Sequence, residues 1–174
     1  MASGGVKTNI LGHESTVEYS PDWAGYGIVA MRVGLGWMFF HDGVSRILAS
    51  SWSASAYLAG LSVSDPFAVF WNWGGANATW IIGPMLTWGF AAVGFGLMFG
   101  AFLRPSALLG ATFMLLQWSM HVTPTETLLT RHLVYILFLF GLVSLGAGRV
   151  AGLDALFENH PALRTDRSLR WLFG

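Results

Sequence analysis

Three histidines are the side chains of this chain best suited to chemistry. His41, His121 and His132 each lie at or near the end of a long apolar stretch. Imidazole can bind a metal ion, ligate haem or move protons near neutral pH. A histidine at the edge of an apolar layer can also hydrogen-bond a quinone carbonyl. We therefore treat the three histidines as candidate catalytic residues that handle protons, and we assign no metal site.

Charged and amide side chains accompany these histidines. Asp42 and Arg46 are four residues apart, and so are Gln117 and His121, so each pair can share one face of a helix. Arginine can hold an anion or a carbonyl oxygen. The candidate substrate-binding residues are Arg32, Asp42, Arg46, Gln117, Glu126 and Arg131.

Arg32 is unusual because it lies inside an apolar stretch. A central arginine costs about 2.5–3.5 kcal/mol on insertion scales, and no other formal charge lies at similar depth. It could reach the interface, bind backbone carbonyls or hold an anionic group. His41 follows it by nine residues, which puts the two on opposite helix faces. Arg46 lies approximately on the face of Arg32, so we expect these two arginines to line one cavity and His41 another interface.

The composition indicates a membrane protein. Hydrophobic residues make up 54% of the 174 residues and charged residues only 10%, whereas a soluble domain carries about 25% charged residues. The net charge of 0 leaves no basic field to attract nucleic acid. Because there is no cysteine, Fe–S clusters, covalent c-type haem and disulfides are excluded. No HExxH, Gly-x-Ser-x-Gly or Walker pattern is present, which removes protease, hydrolase and nucleotide-driven functions.

Four apolar stretches predict four transmembrane helices. These stretches are continuously apolar rather than alternating, which favours helices over strands. A bilayer core of ~30 Å needs about 20 helical residues, and the shorter stretches reach this length with their flanking residues. Their glycines, Gly36 and Gly96 among them, would let neighbouring helices approach closely. The four ranges are 23–48, 79–102, 107–120 and 133–147. The predicted fold is an all-α integral membrane four-helix bundle.

The distribution of Lys and Arg predicts the orientation of this bundle. With four spans, the N-terminus, the second loop and the tail share one side, which holds six Lys and Arg residues against two on the other. Both termini are then cytoplasmic in a multi-pass protein of the cell membrane. The three histidines and most of their charged neighbours gather at the outer end. The expected divisions are a cytoplasmic segment 1–22, a transmembrane domain 23–157 and an amphipathic cytoplasmic tail 158–174.

A long aromatic loop joins the first two stretches on the extracytoplasmic side. Residues 49–78 are rich in Ser at first and then in Trp, Tyr and Phe. Trp and Tyr favour the headgroup layer of a bilayer. The run Ser64-Asp65-Pro66 is typical of a helix start. We therefore expect either one or two short helices that lie on the outer interface and cover the bundle, or a simple aromatic anchor.

Three short runs resemble the DoxX family. The first helix of that family typically carries an Arg, a Gly, a Phe and a His-Gly-x-x-Lys ending. Residues 31–46 are similar to it, with one residue inserted between His41 and Gly43 and with Arg46 at the basic position. Leu103-Arg104-Pro105 is similar to the family's short basic turn. The run 148–154 resembles the Gly-Arg-x-Ser-Leu-Asp close of the family, and the likeness covers about residues 24–157.

This resemblance implies a quinone-linked redox function. The family consists of small four-helix membrane proteins and includes a component of archaeal thiosulfate:quinone oxidoreductase. The expected function is therefore electron transfer as a membrane subunit of a quinone-linked respiratory system, with quinone as the ligand. The expected partners are the lipid bilayer, other membrane subunits or further copies of the chain. The alternatives are a non-catalytic scaffold subunit of a larger membrane complex and an electron carrier that binds haem b.

Overall fold

The structure is a computed structural model in which most residues are helical. The structure describes the backbone of residues 4–10, 13–61, 67–121 and 130–158, and the side chains of residues 20–61, 67–121 and 130–155. The helices are α1 (Pro21–Leu48), α2 (Ala54–Ala59), α3 (Ala68–Asn77), α4 (Thr79–Pro84), α5 (Phe90–Phe99), α6 (Leu103–His121), α7 (Arg131–Ser144) and α8 (Leu153–Glu158), with a π-helical turn, Met85–Gly89, between α4 and α5. This content confirms the helical fold class.

An antiparallel β-hairpin precedes the helices. Strand β1 covers Gly4–Ile10 and β2 covers His13–Tyr19, with Gly4 opposite Tyr19. Both strands contain β-branched residues, which fit a pleated backbone. No strand was predicted, so the hairpin is an addition to the predicted all-α fold.

Four helical rods pack in sequence order. The rods are α1, the continuous segment Thr79–Phe99, α6 and α7. Helix α1 packs mainly on α5, α5 packs on α6, and α6 packs on α7. A continuous apolar core, with Phe39, Phe90 and Leu97 fully buried, lies between them. Each predicted apolar stretch thus corresponds to one rod.

One helix in the described part of the chain supports the predicted membrane location. Among the described residues, Thr79–Phe99 is the one helix whose length and hydropathy suffice to cross a bilayer. Helix α7 is apolar but only 14 residues long. The outer faces are nevertheless rich in large apolar side chains, including Trp80 (74% exposed), Phe140 (70%) and Leu108 (63%).

The predicted short helices of the aromatic loop are α2 and α3. Ser53 caps α2, because its hydroxyl accepts a hydrogen bond from the Ala56 N–H at 3.2 Å. Trp71 of α3 is buried and donates its indole N–H to the Ser119 hydroxyl of α6 at 3.2 Å. The predicted start at Ser64-Asp65-Pro66 lies outside the described residues. Trp71 thus fixes α3 to the rods.

Glycines bring the backbones of α1 and α5 into direct contact. A Cβ atom at Gly94 would collide with the backbone of Phe40, and one at Gly43 would collide with the backbone of Ala91 and Thr87. Small residues at a helix interface permit such an approach. This contact fixes the second half of α1 against the π turn and α5.

Two buried charged side chains close the end of the bundle that lies away from the histidines. Arg32 is 2% exposed and donates hydrogen bonds to the carbonyls of Ala147 (2.6 Å), Val150 (2.9 Å) and Ala151 (3.1 Å). The carboxylate of Asp154, which is fully buried, accepts hydrogen bonds from the backbone N–H groups of Phe102 and Leu103 at the start of α6. Both charges therefore hold the segment that follows α7 against α1 and α6.

The glycine contact predicts opposite outcomes for two Gly→Ala substitutions. Gly94→Ala would force α1 and α5 apart and should lower the free energy of unfolding by about 1–3 kcal/mol. Gly34→Ala is the matched control, because nothing lies within 4 Å of a Cβ there and alanine favours the helix by ~1 kcal/mol. Thermal unfolding in detergent measures both. Equal midpoints would contradict the backbone contact.

Candidate functional site

A polar cavity of about 320 Å³ lies at the end of the bundle where α1 and α6 end and α7 begins. Side chains from α1, α2, α6 and α7 line it. These are Met38, Asp42, Arg46, Tyr57, Met114, Gln117, His121, Arg131, His132 and Tyr135. Its volume falls within the range of small-molecule sites, roughly 300–1,000 Å³.

Arg46 is held in place on one wall of this cavity. Its Nη1 donates to the carbonyl of Leu86, in the π turn, at 2.9 Å, and its Nη2 contacts the Asp42 carboxylate at 3.5 Å. The guanidinium also lies 5.0 Å from the ring centre of Phe90 and 5.8 Å from that of Tyr57. Because Asp42 is half exposed, the ion pair contributes little stability. Its main effect is to keep a positive charge on the cavity wall.

One hydrogen bond indicates which ring nitrogen of His121 carries the hydrogen. Its Nδ1 lies 2.8 Å from the carbonyl of Gln117. A carbonyl only accepts, so Nδ1 carries the hydrogen and donates it. In the neutral ring, Nε2 is then an acceptor with a lone pair. His121 can therefore take a proton from a hydroxyl group, and once charged it can donate one to a carbonyl.

A second imidazole stands next to His121. The rings of His121 and His132 lie 5.8 Å apart between centres and are nearly parallel, at 21°. His132 is buried, whereas His121 is half-buried. The two imidazoles therefore lie side by side on the wall of the cavity.

Gln117 adds a neutral polar group to the cavity wall. The residue is 8% exposed and lines the cavity. Within the described part of the chain its side-chain amide makes no hydrogen bond; its backbone carbonyl is the partner of His121. An amide offers both a donor and an acceptor. Gln117 can thus bind either a carbonyl or a hydroxyl of a ligand.

Tyr57 brings the short helix α2 to the cavity. Burial raises the pKa of its phenol, the positive charge of Arg46 opposes this shift, and Asp42 adds to it. The phenol is therefore neutral at physiological pH and can donate a hydrogen bond. Helix α2 places this donor in the wall of the cavity that the histidines of α6 and α7 also line.

Six of the nine predicted site residues line this cavity. They are Asp42, Arg46, Gln117, His121, Arg131 and His132. The structure therefore brings together the ends of three predicted spans, as the topology suggested. Glu126 lies outside the described residues.

His41 and Arg32 lie elsewhere. His41 is exposed, with its ring 6.0 Å from that of Trp37 between centres, and it does not line the cavity. Arg32 is occupied by backbone carbonyls near α8 and does not share a cavity with Arg46. The expectation that the two arginines line one cavity is thus corrected, because the carbonyls after α7 lie nearer to Arg32. Of its three possible roles, the structure gives it the binding of backbone carbonyls.

Four residues that line the cavity were not among the predicted site residues: Met38, Tyr57, Met114 and Tyr135. Tyr135 lies one helical turn after His132, and Met114 precedes His121 by seven residues, so helical spacing could have indicated both. No spacing could have indicated Tyr57, since its position depends on how the aromatic loop folds.

No protein-family model matches this chain, and no similar curated protein or solved structure was found.

Tyr57 should ionise above its ordinary pKa of 10.0. In the absorbance difference between the wild type and Tyr57→Phe, the phenolate step should appear above pH 10. Replacing Arg46 by Gln should move this step further up, since the positive charge lowers the pKa. Neutral Tyr57 is favoured by folding, so its contribution to stability is complete below pH 10 and is lost as pH rises through the folded pKa. A step at or below pH 10 would contradict its burial.

Arg32→Met should destabilise the protein without changing the cavity. The substitution leaves three carbonyls without their donor, and a buried acceptor that is left unsatisfied costs about 1–3 kcal/mol. Arg149→Met, at an exposed residue of the same end, should cost much less. Thermal unfolding measures stability, and titration of the folded variants measures ligand binding in the cavity. If Arg32→Met kept the unfolding midpoint of the wild type but lost ligand binding, Arg32 would belong to the ligand site.

Proposed function

We propose that this chain is a multi-pass membrane subunit of a quinone-linked redox system. The large apolar side chains on its outer faces support the bilayer location, since soluble monomers rarely expose extended apolar patches. The helix Thr79–Phe99 is long enough to span the hydrocarbon core. By the positive-inside rule, both termini are cytoplasmic and the cavity opens on the outer side.

The quinone or quinol head group binds in the polar cavity. A quinone presents carbonyl oxygens and a quinol presents hydroxyls, so its site needs groups that can both donate and accept. Gln117 and His121 supply both functions, and Tyr57 and Arg131 add donors. Met38 and Met114 provide apolar surface for the ring.

The contact that supports the proposal most strongly joins the Nδ1 atom of His121 and the carbonyl of Gln117, because it leaves Nε2 as the ring nitrogen that can exchange a proton with a bound ligand. Reduction of a quinone to a quinol takes up two electrons and two protons. The two electrons come from an electron-donating subunit of the redox system. The two protons come from the aqueous side and reach the two carbonyl oxygens through His121, the more exposed of the two imidazoles, and His132.

The resemblance to the DoxX family favours a quinone over other ligands. The His-Gly and basic positions of that family fall at His41, Gly43 and Arg46. Of these three residues, Arg46 lines the cavity, and Gly43 lies against the π turn that binds Arg46.

Matched histidine variants test this function. His121→Leu should weaken the binding of a tail-less benzoquinone to the purified protein by about tenfold, the loss of roughly one good hydrogen bond. His41→Leu, on the exposed face, should leave binding unchanged. Gln117→Leu should weaken it in the same direction. Titration calorimetry in detergent measures affinity, and thermal unfolding shows that each variant is folded.

Other outcomes would overturn the proposal. Absence of saturable binding of any quinone by the wild type would remove the quinone function and favour a scaffold subunit. Equal losses for His41→Leu and His121→Leu would show that the cavity is not the site. A Soret band in the natively purified protein that is lost in His121→Leu would identify the histidines as haem ligands instead.

A further inference from the structure

A second hollow, an apolar groove of about 490 Å³, runs along the outside of α6 and α7. Its walls include Ala107 and Ala111 of α6 and Leu139, Phe140 and Val143 of α7, with Arg104 at its far end. The surface of the groove is almost entirely apolar. Two alanines leave a channel where larger side chains would form a ridge.

The groove and the polar cavity follow one another along the same helix pair. On α6, Ala107 lines the groove, and Met114 and His121 line the cavity. These residues are seven apart, so each step turns by only about 20° around the helix. On α7, His132 lines the cavity and Leu139, seven residues later, lines the groove. The two hollows therefore share the α6–α7 seam.

The separation between the hollows is short. Ala111 in the groove and Met114 in the cavity are three residues apart, which is about 4.5 Å along a helix. On α7, Tyr135 of the cavity and Ile136 of the groove are consecutive, so their side chains leave the helix about 100° apart and the two hollows lie on adjacent faces. From Ala111 to Arg104 the groove then extends about 10 Å toward the other end of the bundle.

We propose that this groove holds the isoprenoid tail of the quinone whose head group occupies the cavity. The inference rests on the proposed function and adds the class of quinone: one with a long apolar chain. A head group fixed by Gln117 and His121 would direct its tail past Met114 into the groove. Because lipid chains are as apolar as the groove, the gain comes from close packing rather than from removal of water.

The test uses a quinone that carries a diazirine at the end of a short isoprenoid tail. After illumination of the protein in vesicles, labelled peptides should come from the α6 and α7 segments that contain Leu108 and Phe140. Excess unlabelled quinone should remove the label. Saturable labelling confined to α1 or α5 would overturn the tail site while leaving the head site intact. Absence of saturable labelling anywhere would contradict the proposed function itself.

A pair of phenylalanine variants provides the second arm. Ala111→Phe fills the groove and should weaken binding of the tailed quinone by about tenfold, while binding of the tail-less benzoquinone stays the same. Leu109→Phe, on an exposed face of α6 outside the groove, should change neither affinity. Equal affinities of Ala111→Phe and the wild type for the tailed quinone would overturn the inference. A change of oligomeric state in Ala111→Phe alone would instead assign the groove to a second copy of the chain.

Discussion

The backbone contact between α1 and α5 is the constraint on which the rest of the structure depends. Gly43 lies against the π turn and the start of α5, so the last turn of α1 reaches the carbonyl of Leu86. Arg46 binds that carbonyl and is thereby fixed on the cavity wall. Pro84, which lacks a backbone N–H, precedes the π turn. The π turn between α4 and α5 thus provides the carbonyl that fixes Arg46 of α1 in place.

Polar side chains have different surroundings at the two ends of the bundle. At one end, Arg32 and Asp154 are buried and bind backbone groups, so their charges stabilise chain segments. At the other end, polar side chains from α1, α2, α6 and α7 line a cavity. Polar side chains within a membrane are costly and by default indicate a functional site. The end with Arg32 and Asp154 therefore has a structural role, and the end with the cavity is the site of the proposed chemistry.

Much of this arrangement could be predicted from the sequence, because apolar stretches and helix ends are local features. The stretches located α1, α6 and α7, and their order placed His121 and His132 at one end of the bundle. The direction of a side chain was harder to predict. Arg32 turned toward carbonyls that only the fold brings near, and His41 lies on an exposed face. Tyr57 depends on the loop conformation, and the hairpin at Gly4–Tyr19 depends on a pairing that hydropathy does not reveal.

Infrared difference spectroscopy with a quinone ¹³C-labelled at its carbonyls can detect the proposed hydrogen bonds, since a hydrogen bond lowers the stretching frequency of a carbonyl. At least one carbonyl band of the bound quinone should lie below its position in lipid alone. His121→Leu or Gln117→Leu should return this band to the lipid value, whereas His41→Leu should not. Carbonyl bands identical with and without the protein would contradict a quinone site in this cavity.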